Sequence, residues 1–63
     1  MIKLTKIFDL LGNDTRITIF EGETKLYSGT CGKCTRDIWT NAYIKKMVFD
    51  IHRERYIITI RYM

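Results

Sequence analysis

Between Tyr56 and Tyr62 the side chains alternate: Tyr56, Ile58, Ile60 and Tyr62 fall on one side of an extended chain, Ile57, Thr59 and Arg61 on the other. This is the clearest strand in the sequence, and it dictates much of the rest. A chain of 63 residues has little apolar surface to spare, so most of its other hydrophobic side chains must go to enclosing one face of that strand. A second run, Thr15 to Phe20, repeats the period of two, with Ile17 and Ile19 opposite Arg16, Thr18 and Phe20. Glu21-Gly22-Glu23-Thr24 then reads as a hairpin loop, because a glycine between two strand-like runs supplies the positive φ such turns need, and it leads into a strand over Lys25 to Ser28.

The N-terminus follows a different period. Leu4, Ile7, Phe8 and Leu11 recur at the spacing of one helical stripe, with Lys3, Lys6 and Asp9 on the opposite side. Gly12 is placed to end this helix in the left-handed conformation, and Asn13-Asp14 continue as a turn. In the middle of the chain Thr35 is positioned to cap a short helix over Arg36 to Asn41, with Asp37 in its first turn and Ile38, Trp39 and Ala42 on its buried side. Tyr43 to Lys46 suit either an extension of that helix or the start of a strand. The alternation of Met47, Phe49 and Ile51, together with the weak helix formers Val48 and Ile51, places a strand from about Ile44 to His52, followed by a charged turn at Arg53-Glu54-Arg55.

The expected architecture is therefore α+β in a single domain spanning residues 1–63. Two hairpins form a four-stranded antiparallel sheet, the N-terminal helix packs on one face, and a short helix links the hairpins. The chain has no proline, so no strand is barred from the centre of the sheet. Hydrophobic residues at 46% and charged residues at 29% are globular values and argue against disorder. The longest uncharged apolar stretch, Tyr56 to Ile60, is far short of the ~20 residues that span a bilayer, and no charged-then-apolar leader opens the chain; a cytoplasmic location is expected.

Cys31-Gly32-Lys33-Cys34 is half of a four-thiolate metal site or a complete redox pair. With one histidine, His52, and no second such pair, a single copy cannot supply the four Cys/His ligands of a closed zinc site. A homodimer sharing zinc through Cys31 and Cys34 is one reading. A thioredoxin-like redox pair is another, although the chain is short for a βαβ unit and has no proline for the associated loop. The third is a tight glycine-containing turn carrying two small hydrophobic side chains. In a reducing cytosol the pair is expected as free thiols. Catalysis is not expected. His52 has no obligatory partner in the sequence, Glu21 and Glu23 flank a hairpin glycine, and no phosphate-cradling glycine loop or metal-hydrolase motif is present.

Charge is distributed unevenly. Residues 1–32 carry four cations and four anions; residues 33–63 carry seven cations against three anions, so all of the net charge of +4 lies in the second half. That asymmetry suggests a surface for an acidic partner, with Lys45, Lys46, Arg53, Arg55 and Arg61 as the partner-binding candidates. One helix covers one face of a sheet. The other face would then expose Phe20, Ile57 or Val48 among Arg and Lys, a composition typical of protein interfaces. Nucleic acid is the competing partner, through phosphate contacts from the same cations, but Phe49, Tyr56 and Tyr62 share the period-two face of Met47, Ile58 and Ile60 and so belong to the core more than to a stacking platform.

The order of these features, an apolar helix, Gly12-Asn13-Asp14, a β-branched strand, the acidic turn at Gly22, Leu26-Tyr27-Ser28-Gly29, Ile38, Tyr43-Ile44, a charged turn and a terminal Ile-rich strand, resembles small uncharacterised accessory proteins of bacteriophages and mobile elements of Gram-positive bacteria. The cysteine pair and the basic second half are not part of that pattern. The resemblance implies a phage-type accessory protein, a genre that includes stoichiometric inhibitors of host or defence machinery, such as anti-CRISPR proteins, and transcriptional modulators. The expected function is a non-catalytic module that binds a host protein or ribonucleoprotein through its basic C-terminal hairpin.

Overall fold

The computed structural model describes residues 2–34 and 37–62. Its elements follow in the order helix α1 (Leu4–Leu10), strands β1 (Arg16–Glu21) and β2 (Thr24–Thr30), single 3-10 turns at Cys31–Lys33 and Asp37–Trp39, and strands β3 (Ala42–Asp50) and β4 (Arg55–Tyr62). The strands form one four-stranded sheet in the order β2-β1-β4-β3. Both hairpins are antiparallel, and the expected α+β fold is the one observed. The joint between them, β1 against β4, is parallel, with Ile17, Thr18, Ile19 and Phe20 aligned on Tyr56, Ile57, Ile58 and Thr59. The sheet is therefore mixed and mostly antiparallel. The parallel joint fits the ends of the strands: β2 ends beside the start of β1, whereas β3 begins beside the end of β4, so Thr30 and Ala42 stand at opposite ends of the sheet.

The core lies on one face. Leu4 and Phe8 of α1 pack onto Ile17, Ile19, Ile58 and Ile60, and the connection adds Cys31, Cys34 and Trp39 to the same cluster, with Ala42 at the start of β3. The helical stripe and the two strand alternations thus meet as their periods require. At one edge, Ile44 N–H donates to the Ile2 carbonyl at 2.8 Å, and Lys3 bridges to Tyr43, so the segment before α1 covers the upper part of β3.

Several local expectations are corrected. Gly12 does not take the left-handed conformation; α1 ends because Leu11 turns extended (φ −88, ψ 145) while its N–H still reaches the Ile7 carbonyl at 3.0 Å. The link between the hairpins is two 3-10 turns rather than a helix over Arg36 to Asn41; Arg36 and the expected cap Thr35 lie outside the described residues. Trp39 and Ala42 are buried as expected, but Ile38 is 64% exposed, since a 3-10 turn does not hold the two side chains on one stripe. Strand β3 starts at Ala42 and stops at Asp50, leaving Ile51 and His52 in the turn. Arg55 belongs to β4 rather than to the turn before it. Phe49 and Tyr56 do share the core face, in edge-to-face contact at 5.0 Å, yet Phe49 is half exposed, as it sits at the turn end of the hairpin.

Candidate functional site

No element of the described residues packs on the second face of the sheet; α1 and, from the connection, Cys31, Cys34 and Trp39 contribute to the core on the first. Strand register defines what that open face presents. One cross-strand row runs Ser28, Thr18, Ile57, Val48, and the next runs Lys25, Phe20, Thr59, Lys46. Beyond them Arg61 pairs with Tyr43 at one end, and Arg16 and Arg55, which precede the aligned Ile17 and Tyr56, emerge side by side at the other. A bulge in β3 between Ile44 and Lys46 makes Lys45 the extra residue, which is how two adjacent lysines avoid a strict alternation.

Within this face Thr18 is 4% exposed, and a buried hydroxyl must be bonded. Thr18 Oγ1 lies 3.3 Å from Ser28 Oγ, and Arg55, reaching across β1 from β4, donates from Nη1 to Ser28 Oγ at 2.8 Å and to Thr18 Oγ1 at 3.3 Å. The acid in register with Arg55 is Asp50, whose carboxylate is committed to the turn: Oδ1 accepts from the N–H groups of His52 at 3.0 Å and Arg53 at 3.2 Å, and Oδ2 stands 3.8 Å from Arg53 Nε.

The five cations named from the sequence are therefore not one cluster. Lys46, Arg55 and Arg61 share the open face. Arg53 sits at the tip of the β3–β4 hairpin beside Asp50, and Lys45 lines an open depression of about 400 Å³ with Glu21, Gly22, Ile60, Arg61 and Tyr62. Sequence reading missed that Arg16 and Lys25 of the charge-neutral first half join the face, and that Thr18 and Ser28 bind Arg55. Its one available signal was the parity of Arg16, Thr18 and Phe20, which already shared a side. The parallel joint that sets them beside β4 pairs residues about forty apart in sequence and leaves no local trace.

The cysteines point inward. Cys31 and Cys34 are buried in the core and form no disulfide; Trp39 donates its indole N–H to Cys34 Sγ at 3.2 Å, and Cys31 Sγ lies 4.0 Å from the Phe8 carbonyl. Burial raises the Cys34 thiol above its ordinary pKa, against the Trp39 hydrogen bond, with Cys31 adding to the rise. Among the described residues no three His, Cys, Asp or Glu side chains gather where a metal ion could be held, and no helix is long and apolar enough to cross a membrane. No family model, curated protein or solved structure matches this chain.

Proposed function

We propose that this protein is a non-catalytic binding module whose working surface is the open sheet face, engaging an acidic patch on a partner protein or ribonucleoprotein. One observation carries the reading: Arg16, Lys25, Lys46, Arg55 and Arg61 surround Phe20, Ile57 and Val48 on a single uncovered face. Desolvated apolar centres ringed by cations bind proteins through the former and select acidic ones through the latter. The reading enlarges the C-terminal hairpin surface to include the first hairpin, and it gives Arg53 and Lys45 peripheral places. The inward thiols favour the pair as small core hydrophobes over a zinc-linked homodimer, since a shared metal needs both sulfurs at the surface. Inhibition or modulation of host or defence machinery, anti-CRISPR-like in kind, is the role the phage-protein resemblance adds.

A second reading, nucleic-acid binding, has one observation of its own: Tyr62 stands at the depression lined by Lys45 and Arg61, where a base could stack beside paired cations. The open face itself offers two partly buried aromatics, Phe20 and Tyr43, set beside the aliphatic Ile57 and Val48, a mixed apolar surface that favours protein.

The test is affinity capture from an extract of the source cells, comparing the wild type with K46E/R61E and with K6E, which alters α1 on the other side of the sheet. A nuclease-resistant partner should be recovered with the wild type and K6E and fall at least about tenfold with K46E/R61E, as expected for several interface charges reversed together. Equal recovery with all three proteins removes the face from the function. Recovery lost to nuclease, together with a gel shift that weakens steeply with salt, installs the second reading.

A further inference from the structure

We propose that Arg55, braced by Thr18 and Ser28 and flanked by Arg16, is an oxyanion receptor that takes a side-chain carboxylate of an acidic polypeptide. The inference rests on the reading of the open face as an interaction surface and names the group recognised there. A guanidinium has five N–H donors, and Arg55 commits only Nη1, to two neutral hydroxyls. Its Nε is buried with no partner, and Nη2 makes no hydrogen bond among the described residues. The unserved Nε–Nη2 edge is the one that grips both oxygens of a carboxylate side-on.

Two further features point the same way. Asp50, the acid in register with Arg55, is occupied by the turn and by Arg53. Arg16 and Arg55 emerge on neighbouring parallel strands with no carboxylate partner among the described residues, and like charges so placed repel. A bound oxyanion relieves that repulsion and gives the buried Nε–H an acceptor once the side chain rolls enough to expose it, while Ser28 keeps its hold on Nη1. Were Arg55 merely a lid over Thr18, the Nη1 contacts would be explained but not a charged donor buried without an acceptor. Ile57 and Val48, both aliphatic, adjoin the site, surroundings that suit an acidic residue within a peptide better than a phosphate within an oligonucleotide.

The experiment uses the full ¹⁵N-labelled chain and follows arginine Nε–H signals by NMR during titration with hexaglutamate and, separately, with a thymidine hexanucleotide; the Arg55 signal is assigned by its loss in R55K. Hexaglutamate should shift the Arg55 signal and slow its proton exchange, and R55K, which keeps the charge but not the planar fork, should bind about tenfold more weakly with the remaining spectrum unchanged. Should R55K not fold, the Arg55 signal is assigned in the wild type by its proximity to Thr18 and Ser28, and the titration is read on it all the same. If open-face amides move while the Arg55 signal does not, or if R55K binds as the wild type does, the receptor is overturned and the surface survives. A response to the hexanucleotide in preference makes the ligand a phosphodiester and overturns the carboxylate assignment. If no open-face signal answers either probe, the surface reading fails and takes the receptor with it.

Discussion

Cys34 shows how little of a residue's role its motif reveals. In sequence it is the second thiol of a metal or redox pair; in the fold it is 8% exposed and accepts the Trp39 indole N–H. A tryptophan in a small core needs an acceptor for that proton, and sulfur supplies one without bringing in a strongly hydrated group. The cost appears in alkali. Burial, with a contribution from Cys31, lifts the Cys34 thiol above the 9.0 of an unperturbed cysteine, so the unfolded chain loses this proton first. The thiol's contribution to stability is therefore complete below about pH 9 and is lost as pH rises toward the folded-state value. Tyr27, raised from 10.0 chiefly by burial, acts in the same direction at higher pH. Melting temperature measured from pH 7 to 10.5 should be flat and then fall. Cys34→Ala should melt lower throughout but lose less between pH 9 and 10, and parallel curves would show that the thiol plays no part in the decline.

Among the elements, β2 depends most on one backbone position. Gly29 has φ near +157, and a Cβ built there would stand 2.9 Å from the Tyr27 hydroxyl and 3.3 Å from its ring. That hydroxyl cannot easily move away, because it donates to the Thr30 carbonyl at 2.7 Å. Gly29→Ala should destabilise the protein by about 2 kcal/mol through strain and overpacking. Removing the hydroxyl by Tyr27→Phe should return part of that loss, a coupling that a double-mutant cycle followed by denaturant unfolding reads directly. Strictly additive costs would place the constraint in the backbone alone. Gly22 differs: its φ is +62 with open space around it, so it serves the turn and not a contact.

For the whole molecule, the decisive feature is that one layer of core secures a sheet whose central joint is non-local. Ile58 is fully buried where β4 meets both Ile19 of β1 and Met47 of β3. A large-to-small change there costs about 2–5 kcal/mol, comparable to all the stability a chain of this size commands. Ile58→Ala should therefore be unfolded by circular dichroism at 25 °C, whereas Ile58→Val, at about 1 kcal/mol, should fold and melt cooperatively at a lower temperature. A folded Ile58→Ala would mean that the two hairpins do not depend on their shared seam.

The helix, the two hairpins and the alternation of β1 and β4 were legible in the sequence, because periods of 3.6 and 2 are local properties written every few residues, whereas the bulges that reset that alternation were not. Leu4 and Phe8, Ile17 and Ile19, and Ile58 and Ile60 could be assigned to the core from spacing alone. Tertiary structure decided everything that required two distant segments to align. It made the β1–β4 joint parallel, set Arg16 beside Arg55, tied Arg55 to Thr18 and Ser28, turned both thiols inward and sent Arg53 to the hairpin tip. Alternation says which face a side chain occupies but not which neighbour it meets. That neighbour is fixed only when burial of the shared core selects one strand order and one register for the whole sheet.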